Sequence, residues 1–284
     1  MPSHSPQAAL RLHTRYARFL LVAASTLAAL LLMPYADAAT NQVGNSAGNP
    51  VGNAAGKIPR GANGKPDFSG FWQSLSAADY DLEPHAGRPD APPGRGVVEG
   101  DVIPYLPAAL EQKKKNFANR TTQDPRLKCF ALGVPRQVYY PEPFQIFQRP
   151  RDLLVLPQFG YAVRTIHTNG TDHPADPNDW WLGDSRGKWE GDTLVVDVKH
   201  FLEDTWLDRA GNHHSDQLHV VERWKYLDAN TIAYRATIED PKVYSRPWSL
   251  NVTLYRLREP GQQLIENYCY THPYDKYYPL PVKD

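Results

Sequence analysis

The stretch from Asn230 to Arg258 restricts this chain more than any other feature of its sequence. Ile232, Tyr234, Ala236 and Ile238 alternate with polar neighbours, and so do Trp248, Leu250, Val252 and Leu254, while Arg235, Asn251 and Thr253 take the opposite side. A period of two marks strands with one apolar face. Similar β-branched and aromatic runs cover 144–148, 152–167, 193–201, 216–227 and 263–270. The links Leu227–Asn230 and Glu259–Gln262 are short enough for hairpins. The expectation is an all-β domain, an antiparallel meander that buries its apolar face and hides its edges by closing into a barrel of about eight to ten strands. An open β-sandwich is the alternative. One short helix, Leu106 to Asn119, and long Pro- and Gly-rich loops precede the strands.

The N-terminus reads as an address. Arg11, Arg15 and Arg18 precede an apolar run from Phe19 to Leu32, and Ala36-Asp37-Ala38 fits a cleavage site. Residues 1–38 are therefore expected to be a signal peptide and the mature protein periplasmic or secreted, with no stable membrane insertion after cleavage. An uncleaved anchor running on through Met33 is the alternative. Residues 39–65, rich in Gly, Asn and Ala, read as a flexible linker, and 66–284 as a single domain. Export turns the two cysteines, Cys129 and Cys269, into an expected disulfide.

Lys and Arg number 31 against 31 Asp and Glu, so no basic field gathers nucleic acid. No Ser nucleophile elbow on a strand-to-helix turn, phosphate-binding Gly loop, dinucleotide fingerprint or His-Glu-x-x-His stands in the sequence, which removes the commonest hydrolase, kinase, dehydrogenase and metalloprotease readings.

Two segments carry a resemblance. Gly183 to Val196, GDSRGKWEGDTLVV, resembles the signature of a large group of exported, mostly uncharacterised bacterial proteins, together with Asp124-Pro125, Cys129, Gly133, Pro135-Arg136 and the run His214 to Arg223. Gly70-Phe71-Trp72 is similar to the G-x-W opening strand of lipocalin-like barrels. That second resemblance implies a lipocalin-like barrel with Trp72 as its plug and Arg223, Arg256 or Arg258 as the cover.

Chemistry is expected where histidines gather. The loop Gly211 to Leu218 places His213, His214 and Asp216 at the mouth of a strand that continues with His219, Val221 and Arg223 on one side. If that side is the interior, His219 and Arg223 line a pocket with His214 or Asp216 at its rim, which is what an acid/base pair needs. Arg136 offers a fork that can steady an oxyanion. Tyr139, His167, His173, Arg223 and Trp206 are the expected ligand-binding residues, with His167 inside and Arg164 pointing away. A zinc or copper site on His214, His219 and His173 matches no strong motif, so no metal and no cofactor is expected.

Three functions follow. The first is a cofactor-free lyase, dehydratase or isomerase on an apolar or aromatic small molecule, working by histidine acid/base chemistry. The second is a non-catalytic barrel for a hydrophobic ligand. The third is an envelope interaction module presenting Trp206, Trp224, Trp248 and the tail Tyr274 to Tyr278.

Overall fold

The computed structural model describes residues 56–160, 162–175, 178–266 and Cys269. The expected signal segment and the tyrosine-rich tail lie outside the described residues. Among those described, nine strands close into a barrel in sequence order. They are β1 (Gly70–Ser74), β2 (Phe144–Arg149), β3 (Asp152–Pro157), β4 (Arg164–His167), β5 (Asp184–Glu190), β6 (Thr193–Lys199), β7 (His219–Asp228), β8 (Thr231–Glu239) and β9 (Trp248–Leu257). Helix α1 (Pro107–Ala118), with proline in its first turn, falls where expected, and two one-turn helices, α2 (Arg120–Gln123) and α3 (Arg136–Tyr139), follow it.

Tight turns fix the register. Gly191, at a φ of 60°, and Asp192 link β5 to β6, so that Glu190 faces Thr193. Between β7 and β8 the Asp228 carboxylate accepts from the Asn230 amide at 2.7 Å and from the Thr231 hydroxyl at 2.6 Å, closing that turn with side-chain hydrogen bonds. The ring closes where β1 pairs antiparallel with both β2 and β9.

Four expectations need correction. The meander is not wholly antiparallel, because β4 and β5 run parallel through the pairs Ile166–Ser185 and His167–Arg186. The long excursion 168–183 returns the chain to the end of the barrel it left, and a parallel pair needs such a crossover. The run 152–167 is two strands rather than one, broken after Pro157 around Gly160, whose φ is 85°. Residues 263–266 form no strand. The expected linker carries defined contacts short of Pro66: Ile58 packs against the core and the Arg60 guanidinium donates to both Asp192 carboxylate oxygens at 2.9 and 2.6 Å.

The lumen is filled. Leu194, Val196 and Val198 of β6 face inward beside Val220, Glu222, Trp224 and Tyr226 of β7, and Ile232, Tyr234, Ala236 and Ile238 of β8 with Trp248, Leu250, Val252 and Leu254 of β9 complete the ring; all are buried. Trp72 is fully buried, its Nε1 donates to the Phe68 carbonyl at 2.8 Å, and Arg256 lies over its ring at 4.2 Å. Arg256 is thus the cover among the three candidates, held by the Ser69 and Ala229 carbonyls and the Tyr226 hydroxyl. Gly70 explains the glycine of the G-x-W tripeptide. At its φ of 128°, a Cβ there would stand 2.5 Å from the Arg256 guanidinium nitrogen.

Arg164 corrects another reading: it points into the barrel, is 2% exposed, and donates to both Glu222 oxygens at 3.0 and 2.5 Å. Tyr234 donates to the same carboxylate at 2.7 Å and Ser185 accepts from Arg164 Nε at 3.0 Å, so the buried pair is fully hydrogen-bonded. Cys129 and Cys269 form the expected disulfide, with Cα atoms 5.5 Å apart.

Candidate acid/base site on the outer face

Alternation that sends Leu194, Val196 and Val198 inward sends Asp197 and Lys199 outward, and on β7 it sends His219, Val221 and Arg223 outward. The same rule puts Asp184, Arg186 and Lys188 on the outside of β5. His173, from the excursion that follows β4, lies across these strands. Its Nδ1–H donates to Asp184 at 2.6 Å and its Nε2–H to Asp197 at 2.8 Å. Donation to two carboxylates requires both ring nitrogens to carry a proton. The second oxygen of Asp197 accepts from His219 Nε2–H at 2.9 Å, so one carboxylate bridges two imidazoles.

The surroundings hold this frame in place. Arg186 donates to both oxygens of Asp184 at 2.6 and 2.8 Å and to the Thr171 hydroxyl at 2.6 Å. Partial burial works to raise the Asp184 carboxyl, but the bonds from Arg186 and His173 outweigh it and hold it below the usual carboxylate range. Asp197 follows the same pattern more strongly, burial being overcome by the bonds from His219 and His173, so it stays ionised. Lys199 stands 3.6 Å from Asp197, and a cleft of about 490 Å³ opens over His173, Arg186, Asp197, Lys199 and Val221. On the other side of its ring, His219 Nδ1 stands 3.7 Å from a Glu239 carboxylate oxygen. A further imidazole, His200, meets His173 edge-on at 5.6 Å, on a backbone held at a φ of 63° that non-glycine residues seldom adopt.

Of the expected site residues, this cluster unites His173 and His219 only. The expected pocket lined by His219 and Arg223 is corrected in its location: both face outward, because Val220, Glu222 and Trp224 take the apolar side of β7, and Arg223 pairs with Glu190 at 2.8 Å. His214 is 4% exposed, accepts at Nε2 from the Thr205 hydroxyl at 2.7 Å and donates from Nδ1 to the Ser215 carbonyl at 2.9 Å. Burial pushes its imidazole down, so it is a neutral, fully used structural histidine and not a proton carrier. Asp216 is exposed and pairs with Lys242 at 2.6 Å. Arg136 is buried and spent on Asp79 at 2.7 Å and on both oxygens of Asp124 at 3.0 and 2.9 Å, leaving no fork for an oxyanion. Tyr139 is also buried and donates to the Leu207 carbonyl at 2.7 Å. Trp206, Trp224 and Trp248 are buried, so they form no exposed patch. His167 faces outward on β4, half-buried, lining a second cleft.

Asp197, Asp184, Arg186 and Lys199 were missed. The signal for Asp197 was present, since Thr193 to Lys199 alternates about an inward Leu194-Val196-Val198 face that leaves Asp197 outward next to the outward side of His219. What was lacking was the pairing register that makes them neighbours. Among the described residues, no group of three or more His, Cys, Asp or Glu side chains is arranged to hold a metal ion. Comparison of the chain with known protein families, with curated proteins and with solved structures found no match in any of the three.

Proposed function

We propose that this protein is an exported acid/base enzyme of the lyase, dehydratase or isomerase kind, acting on a small molecule in the outer cleft rather than inside the barrel. The observation that carries this reading is the Asp197 carboxylate held between His173 and His219 at the edge of an open cleft. Asp197 fixes His219 with its proton on Nε2 and so leaves the Nδ1 lone pair to take a proton from substrate and return it elsewhere. His173, tied at both nitrogens, positions Asp197. Lys199 replaces Arg136 as the cation that can steady negative charge developing on a substrate oxygen. The disulfide supports an oxidising compartment, and the resemblance to exported proteins supports the same placement.

A panel of small hydroxylated and unsaturated compounds incubated in heavy water tests the reading, with products followed by mass spectrometry for deuterium uptake or for the gain or loss of water. Turnover is expected with the natural chain, to fall about 100-fold or more in His219→Gln, and to fall in Asp197→Asn through a shifted pH profile. Turnover that survives both substitutions at full rate would overturn it. The non-catalytic reading is favoured by a separate apolar cleft between Val163 and Trp180.

A further inference from the structure

Where β4 and β5 run parallel, the chain between them parts and leaves a cleft of about 380 Å³. Its walls are unusual for a surface. Trp180 is 37% exposed and Val163 49% exposed, and Trp181 stands on Phe130 with ring centroids 4.6 Å apart. The Trp180 main chain is held by its N–H to the His200 carbonyl at 2.9 Å, so its indole is displayed from a fixed backbone. Large apolar side chains arranged on both sides of a cleft mark a ligand site, and this volume, at the small end of such sites, suits about two fused rings.

Two polar groups define the rest of the ligand. Asp184 lines the cleft, but its charge is taken up by Arg186 and His173, so it attracts no cation. His167 also lines it, and among the described residues its ring has no hydrogen-bond partner. Asp184 is common to both sites: it borders the apolar cleft and bonds the His173 that lines the histidine cleft.

We infer that this seam cleft binds a neutral, planar aromatic molecule through Trp180 and Val163, with His167 taking a hydroxyl or carbonyl of the ligand, and so supplies the ring half of the substrate site. The binding stands on the cleft itself; its meaning as a substrate subsite rests on the acid/base reading above.

Calorimetric titration with 2-naphthol tests the inference, with decahydro-2-naphthol as the saturated control of the same skeleton. The naphthol is expected to bind, the decahydro compound at least about threefold more weakly, and Trp180→Ala to weaken naphthol binding by about threefold to tenfold. Val163→Asp, on an exposed wall where folding does not depend on it, should weaken it as well. His167→Phe should remove the preference for 2-naphthol over naphthalene. Equal affinity for the flat and saturated compounds, or unchanged affinity in both Trp180→Ala and Val163→Asp, would overturn the proposal. Naphthol binding that persists where His219→Gln leaves all turnover intact would retain the ring site and discard only the acid/base reading.

Discussion

Asp208 shows how one residue departs from its ordinary chemistry through its surroundings. It is fully buried, and its carboxylate accepts from the Leu82 amide at 2.9 Å and from the Asn212 amide and side chain at 3.1 and 2.5 Å. Burial first, and then the charge of Asp81, push its pKa up to about 7 despite those bonds. The folded value lies above the unfolded one, so this group contributes most to stability at low pH and loses that contribution as pH rises from about 4 through 7. Carboxyl carbon NMR should show Asp208 titrating near neutrality, and Asp81→Asn should lower its midpoint. A midpoint in the normal carboxylate range in the natural chain would show that the hydrogen bonds outweigh burial. Residue identity alone revealed none of this, nor that His214 would be a used structural group, because burial and partners are set by segments far apart in sequence.

Among the elements, the strands with clean alternation were legible and the irregular ones were not. The alternating positions of β8 and β9 read correctly because each buries one face against a filled lumen, and the G-x-W glycine and tryptophan announced β1. Strand β4 misled because it is only four residues long and preceded by a break, and because Phe159 is buried with Leu132 and Tyr140 apart from the main core, so its burial does not predict the parity that turns Arg164 inward and His167 outward. The element-level consequence is the Arg164–Glu222 pair between β4 and β7. Arg164→Met or Glu222→Leu alone strands a buried charge and should cost about 3–5 kcal/mol in urea unfolding. Arg164→Met with Glu222→Leu should cost clearly less than the two single losses added, because no buried charge then remains. Simple additivity would mean that the pair does not act as a unit.

At the scale of the whole molecule, the barrel class and its range of about eight to ten strands were legible because edges must be hidden, nine being found, but the parallel seam was not. The candidate site was legible in residue type and not in place: histidine chemistry was expected on this stretch of chain, yet a lumen already filled by Trp72, Phe144, Trp224 and Tyr234 left the outer face to carry it. The Cys129–Cys269 disulfide closes a loop of sequence separation 140, which on the chain-entropy model constrains the unfolded state by about 5 kcal/mol. Reduction should therefore lower the melting temperature by about 10–20 °C at this domain size, and an unchanged melting curve in reductant would show that the unfolded chain is held compact by other means. Strand β1 lies between β2 and β9, so the first strand to leave the ribosome has its second partner in the last. Hairpins β5 to β9 need only near neighbours and form early, whereas the ring can shut only once the final strand exists. The time order of synthesis and the order of assembly thus run in opposite directions, and a chain stopped short of β9 is a sheet with two raw edges.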